Sequence, residues 1–393
     1  MMDNNELLER FYERFGGRDH APRLFFAPGR VNLIGEHTDY NGGFVFPCAL
    51  QYGTYLVIRP SGSDILRMAS LNFDYSCEIN TASISEKQSD FWVNYPLGVL
   101  DQFLQSGCPI PGMDMLFAGD IPNNAGLSSS ASIEMVTAYA MTALFQFTQF
   151  SMMDLVKLSQ RAENQFVGVN CGIMDQFAVG MGQKDHALFL NCQTLEYKAV
   201  PFLLRDFSLI IGNTNKKRGL ADSKYNERVV ECQLAVTYLD TTMHLSKLGD
   251  ISYMQFYKIQ DQIPDEIIRK RARHVISENQ RVLNAVSSLL KGDLAQFGAL
   301  MNASHESLRD NYEVTGFELD TLVEAALKIN GVIGARMTGA GFGGCTVNLV
   351  RNNAVEEFIK KTSEGYERKT GILPTFYHAV ISDGVREILA DWS

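Results

Sequence analysis

The spacing of apolar residues changes several times along the chain, and the changes mark out its elements. TYLVIRP at 54–60 and ALFLNC at 187–192 are near-continuous apolar runs rich in branched and aromatic residues, which predict buried strands. After GLSSSAS (126–132) the run IEMVTAYAMTALFQF predicts a helix reaching about Phe147. Ser151 with Asp154 reads as a capping box, and Leu155, Leu158, Ala162 and Phe166 recur on one face, so a second helix begins there. Beyond Arg205, FSLIIGNTN predicts a buried strand and then a polar loop, and the stretch from about Asn226 to Asn302 is helix-rich. The last hundred residues alternate, with LVEAALKI, CTVNLV, VEEFIKKTSE and TFYHAVIS as helix, strand, helix and strand. Mixed sheets with helices packed against them, an α+β class, fit this order better than a regular βαβ repeat. We expect two domains, 1–205 and 206–393.

Composition narrows the class of protein. A chain of 393 residues is long for a single core, which agrees with two domains. With 46% apolar and 20% charged residues it is globular. A net charge of −10 argues against a broad nucleic-acid face, yet leaves room for one loop that binds a small phosphate-bearing molecule. Seven scattered cysteines form no C-x-x-C pair and no zinc spacing, which suits free thiols in a reducing cytoplasm. The start, MMDNNELLERFYERFGG, is charged and helix-like, without the apolar core of a signal peptide. No apolar run approaches the roughly 18 residues of a membrane span. The expectation is a soluble cytoplasmic protein with neither nucleic acid nor membrane as partner.

Three polar, glycine-bearing stretches carry the candidate chemistry. GLSSSAS puts small hydroxyl residues directly before a long helix, where free backbone N–H groups and the helix dipole attract anions. It has no lysine and is not a Walker loop; alone, it also reads as an ordinary serine cap. APGRVNLIGEHTDYNGGFVFPCAL (27–50) weaves Arg30, Asn32, Glu36, His37, Asp39 and Tyr40 among apolar residues. Charges held in a partly buried segment need partners, either internal or from a hydroxyl-rich ligand. RMTGAGFGGC (336–345) marks a turn where the backbone approaches something closely.

Taken together and in this order, these stretches resemble the GHMP small-molecule kinases and, within them, the galactokinase family. GRVNLIGEHTDYNGG is similar to the galactose-binding signature, PNNAGLSSSAS to the ATP-binding motif and TGAGFGGC to the third motif. AENQFVGVNCGIMDQ (162–176) and NTNKKRGLADSKYNER (213–228) match as well. The resemblance implies a two-domain GHMP kinase architecture with the active site between the domains. It also implies ATP-dependent phosphorylation of galactose at C1 in galactose catabolism, with ATP as co-substrate, Mg²⁺ as cofactor and a monomeric chain. Asp175 would be the catalytic base and Arg30 would stabilise the transferred phosphoryl group. An Asp beside Arg should stay ionised, so it would act partly as an electrostatic anchor. Glu36, His37, Thr38, Asp39, Gly172, Asp175 and Tyr225 would bind the sugar. Ser70, Asn124, Ala125, Gly126, Leu127, Ser128, Ser129 and Ser130 would bind ATP, and Ser130 with Glu163 would hold Mg²⁺.

Two positions depart from the family pattern. Asn124 and Ala340 stand where the family has glycine; Asn tolerates positive φ, and one added methyl removes no chemical group. Plainer readings exist: Asp175 as a helix cap, Glu163 as a solvated charge, His37 as a fixed hydrogen-bonded core residue, Tyr225 as packing. Ser70 rests on its rough position alone. KKR (216–218) and RKRAR (269–273) read as solvated faces. A kinase for N-acetylgalactosamine or arabinose, or a silent galactose and ATP sensor, are the competing functions. The intact Arg30, Ser130, Ala131 and Asp175 favour the enzyme, and EHTDYNGG favours plain galactose.

Overall fold

The structure, a computed structural model, describes residues 3–17, 20–89, 92–122, 125–216 and 221–389. Its strands are β1 (Arg23–Asn32), β2 (Phe44–Val45), β3 (Pro47–Pro60), β4 (Ile65–Ser70), β5 (Cys77–Asn80) and β6 (Met113–Gly119). They continue as β7 (His186–Asn191), β8 (Tyr197–Pro201), β9 (Phe207–Asn213), β10 (Val332–Thr338), β11 (Cys345–Arg351), β12 (Thr375–Ala379) and β13 (Arg386–Ile388). The helices are α1 (Asn4–Phe15), α2 (Asn94–Gln105), α3 (Ser129–Phe145), α4 (Met152–Arg161), α5 (Met174–Met181) and α6 (Ala221–Met243). The remaining ones are α7 (Tyr253–Ile259), α8 (Glu266–Leu290), α9 (Leu294–Ser307), α10 (Gly316–Leu327) and α11 (Val355–Thr370).

Three sheets result: six strands in the order β13-β1-β3-β6-β4-β5, four as β10-β11-β9-β12, and three as β2-β7-β8. The class is mixed α/β with packed helices, as the alternating patterns predict. One core joins the six-stranded sheet to α2–α5 and includes Phe25, Leu56, Met115, Met135 and Phe177. A second, with Leu33, Phe46, Leu209, Val282, Phe297 and Val347, joins β1–β3 to α8, α9 and the four-stranded sheet. The first signature therefore lies against both halves of the chain, and β13 returns from the C-terminus to pair with β1.

Local chemistry explains the elements that bear on the site. α4 has the capping box read from the sequence, Ser151 Oγ accepting from Asp154 N and Asp154 Oδ2 accepting from Ser151 N. Its face runs on into a π turn, Ala162–Val167, which carries Glu163. Such turns are frequent at functional sites. α3 starts at Ser129 and stops at Phe145, where Gln146 turns left-handed (φ 54°), two residues short of the predicted end. Residues 27–32 continue strand β1, with a register shift between Pro28 and Arg30. RKRAR is not wholly a solvated face: Arg271 is fully buried, held by Glu231, Glu313 and the carbonyl of Asn311. Opposite charge and full hydrogen bonding are what allow it inside. In KKR, Lys216 pairs with Glu318, while 217 and 218 lie outside the described residues.

Candidate active site

Arg30, near the end of β1, and Asp175, in the first turn of α5, form a two-pronged pair. Arg30 Nε donates to Asp175 Oδ1 and Nη2 to Oδ2, both at 2.8 Å. Arg30 Nη1 donates to the carbonyl of Gly126 at 2.8 Å, tying strand, helix and serine loop together. Asp175 Oδ2 accepts a further bond from Ser128 Oγ at 2.5 Å. Asp175 therefore does not cap its helix. Nor does Ser128 cap α3: it is left-handed (φ 61°) and makes no side-chain bond to the helix. The first turn of a 17-residue helix is thus open to an anion.

The pair borders two cavities, which share wall residues with a third. A polar cleft of about 500 Å³ is lined by Arg30, Glu36, His37, Asp39, Gly172 and Tyr225, and also by Ser129, Ser130 and Glu163. A smaller cavity of about 250 Å³ is lined by Ala125, Gly126, Leu127 and Ser128 with Arg30 and Asp175. A third, about 350 Å³ and largely apolar, has Phe73, Trp92, Tyr95 and Ile133 on its walls together with Ser70. Ser129 and Ser130 line all three. Asn124 lies outside the described residues, and Thr38 does not line the cleft. Its hydroxyl is 2.8 and 2.6 Å from the carbonyls of Gly35 and Phe44, where it shapes the loop.

Within the cleft each side chain is fixed by its neighbours. Glu36 is fully buried; Oε1 accepts from Gly339 N at 2.7 Å and Oε2 from Asn32 Nδ2 at 3.0 Å, which joins the first motif to the third. Asp39 is held up to about 7, because it is buried and Asp175 adds its charge. Gly172 crosses so near that a Cβ there would stand 1.9 Å from Asp39 Oδ2, so only glycine leaves the carboxylate in place. His37 is left-handed (φ 61°) and buried, and desolvation with His274 nearby lowers its pKa to about 3. Its ring is held neutral and is hydrogen-bonded at Nδ1 to Tyr40 on the cleft wall. Tyr225 stacks at a tilt on His37, ring centroids 5.6 Å apart.

Glu163 is not a solvated charge: it is buried, and that burial with the charge of Asp175 raises its pKa to about 6. It accepts from Gln176 Nε2 at 2.6 Å and Cys171 Sγ at 3.2 Å, and these groups with the Ser130 hydroxyl offset part of the rise. Gln176 Nε2 reaches Glu134 Oε2 too, at 3.0 Å. Sequence reading missed Glu134, Gln176 and the Phe73–Trp92–Tyr95 wall. Glu134 could have been found: a carboxylate one helical turn after Ser130 faces the same way. The aromatic wall had no local signal, since distant segments build it.

The fold and these motifs define a GHMP kinase: the N-terminal domain of that family matches residues 94–183 and its C-terminal domain residues 285–368. The galactokinase galactose-binding signature matches residues 9–60. The chain is 52% identical to the galactokinase of Fusobacterium nucleatum, over 99% of this chain and all of that one. It is 50% identical to that of Clostridium beijerinckii, over 98% of this chain and all of that one. The chain belongs to the galactokinase family. The crystal structure of Lactococcus lactis galactokinase complexed with galactose superposes with a TM-score of 0.95 at 43% identity, over 98% of this chain and 99% of that one. A Methanococcus jannaschii mevalonate kinase shares the fold at 20% identity, with a TM-score of 0.65.

Proposed function

We propose that the protein transfers the γ-phosphoryl group of ATP to the C1 hydroxyl of galactose, giving α-D-galactose 1-phosphate and ADP. The observation that carries this is the Arg30–Asp175 pair in a sugar-sized polar cleft that shares Ser129, Ser130 and Tyr95 with an apolar aromatic pocket. Glu36, His37, Asp39, Gly172 and Tyr225 bind the sugar. Ala125–Ser130 and the start of α3 hold the phosphates, with Asn124 as part of the same loop. Phe73, Trp92 and Tyr95 cover the adenine, and Ser70 lies beside it. Phe73 and Trp92 present nearly parallel rings, 15° apart with centroids at 6.3 Å.

Arg30 uses three of its five N–H groups internally, which fixes the guanidinium and leaves two for the phosphoryl group. Asp175 Oδ1 accepts from Arg30 alone and keeps a lone pair for the sugar hydroxyl. The C1 oxygen attacks the γ-phosphorus, its proton passes to Asp175, and the bond from that phosphorus to the β-phosphate oxygen breaks as ADP leaves. Ser130 and Glu163 would hold Mg²⁺, being a hydroxyl and a carboxylate on the wall of the same cleft. Two protein oxygens suffice, because Mg²⁺ keeps waters and phosphate oxygens for the rest; its chemistry is to neutralise phosphate charge.

The same reading includes a monomeric cytoplasmic enzyme divided near residue 205, with galactose and ATP as its partners rather than nucleic acid or membrane. Its seven free cysteines support a reducing compartment. Among the described residues no helix is long and apolar enough to cross a membrane. Phosphorus NMR of the product made from galactose and ATP tests the reaction. A sugar phosphate coupled to the anomeric proton is expected; phosphate on another hydroxyl, or no transfer, would refute it.

A further inference from the structure

A line of hydrogen bonds leaves the sugar cleft and runs into the C-terminal helices. Tyr40 Oη lies 2.9 Å from His37 Nδ1 and 2.7 Å from Tyr312 Oη, and Tyr312 Oη lies 3.1 Å from Cys232 Sγ. His37, Tyr312 and Cys232 are buried. Each hydroxyl and the thiol have one proton to give, so the line is fully bonded in only two ways. Either every proton points toward His37 Nδ1, or every proton points away from it.

Three features select the first ordering. An imidazole nitrogen is the strongest acceptor in the line and a thiol sulfur the weakest, so the better bonds form when Tyr40 donates to Nδ1. The Asn41 side chain, whose Nδ2 donates to the carbonyl of His37 at 2.8 Å, also places an amide donor at Cys232. With an amide donor beside the sulfur, the thiol proton is best used on Tyr312. At the far side of the ring, Nε2 has no hydrogen-bond partner among the described residues, and the backbone of Ala340 favours a protonated ring, as a carbonyl does. A carbonyl only accepts, so it favours a proton on Nε2.

We infer that Tyr40 and Tyr312 are positioning residues that fix the tautomer of His37, so that its buried, unpaired Nε2 carries the proton and is the ring's hydrogen-bond donor for a sugar hydroxyl. The neutral ring agrees with this, since burial and the nearby His274, Arg228 and Arg336 disfavour a second proton. The donor role toward sugar rests on the proposed function; the tautomer does not. The consequence for recognition is that His37 accepts nothing, so the hydroxyl it meets is read by its oxygen. An analogue with an ether oxygen at that position keeps the bond, and one with hydrogen there loses it.

The test is ring-¹⁵N histidine NMR of the free protein, with His37 assigned by the signal that disappears in His37→Gln. The expected spectrum has a protonated Nε2 and an unprotonated, hydrogen-bonded Nδ1. In Tyr40→Phe the Nδ1 signal shifts and tautomer exchange appears, and the KM for galactose rises roughly three- to tenfold while kcat and the KM for ATP stay within about twofold. Tyr312→Phe gives a smaller change of the same kind, and Cys232→Ser, which keeps a donor, retains the wild-type tautomer. A protonated Nδ1 in the wild type overturns the inference. So does a Tyr40→Phe protein whose ring signals and galactose KM are unchanged. If galactose is not phosphorylated while Nε2 is protonated, the proposed function fails and the tautomer assignment stands.

Discussion

Gly172→Ala adds one methyl group where the sugar pocket has no room for it. The new Cβ would lie 1.9 Å from Oδ2, 2.2 Å from Cγ and 2.9 Å from Cβ of Asp39. Gly172 does not have a positive φ, so alanine meets no backbone penalty and the effect falls on Asp39. Carbon atoms pack at about 3.5–4.0 Å, so the carboxyl carbon must retreat by more than about 1 Å. A misplacement of that size costs on the order of 10²-fold in a positioned site. Losing one or two charge-assisted bonds to hydroxyls, about 1.5–3 kcal/mol each, gives the same order. We therefore expect kcat/KM for galactose to fall about 10²–10³-fold, with the KM for ATP within about threefold. Overpacking costs about 1–3 kcal/mol. For 393 residues, at about 2.1 cal/mol/K each, that lowers Tm by about 1–4 °C. Steady-state kinetics in both substrates and a melting curve supply the readouts. A variant that keeps more than about a third of kcat/KM would show that Asp39 does not meet the sugar. A Tm lowered by more than about 10 °C would make Gly172 a folding residue.

Four further outcomes are expected. Asp175→Asn should lower kcat by about 10²–10⁴ while ATP binding measured by calorimetry is nearly unchanged; retention of a tenth of wild-type turnover would remove the base assignment. Gly126→Val should raise the KM for ATP and also lower Tm by a few degrees, because Gly126 has φ 71° and a branched residue there is strained by about 1–2 kcal/mol; early melting with normal ATP binding would make the loop purely structural. Asp39, raised from 3.8 to about 7, should make galactose binding without nucleotide weaken as pH falls through 7, and its contribution to stability should be present at low pH and lost as pH rises from about 4 to 7; calorimetric affinities equal one unit either side of 7 would contradict this. Trp92→Ala should raise the KM for ATP about tenfold or more and leave that for galactose unchanged, and the reverse pattern would move adenine out of that pocket.

Much of the site was legible because its motifs are local. The serine loop, the Arg30–Tyr40 segment and the residues around Asp175 are each one continuous stretch, and the structure brings them to one cleft. The capping box of α4 was legible for the same reason. What failed had distant causes. Arg271 looks solvated within RKRAR, and only Glu231 and Glu313, from other segments, explain its burial. Strand β1 runs through a Pro-Gly pair because β3 pairs with it both before and after the register shift there. Ser128 looks like a cap, yet Asp175, 47 residues away, takes its hydroxyl. Phe73 and Trp92 form one wall only after β4 and α2 are packed.

The central claim is that Asp39 helps to make this a kinase for galactose and not for its C4 epimer. The direct measurement is kcat/KM for galactose and for glucose, in wild type and in Asp39→Ala. Sites built around a substrate hydroxyl reject analogues lacking it by as much as about 10⁴–10⁵, and less where a water fills the gap. The account predicts at least about a hundredfold preference for galactose in the wild type, equivalent to ~2.7 kcal/mol. It predicts loss of activity on galactose and a narrowed preference in Asp39→Ala. Wild-type turnover of glucose within tenfold of galactose, or full discrimination surviving in Asp39→Ala, would contradict it.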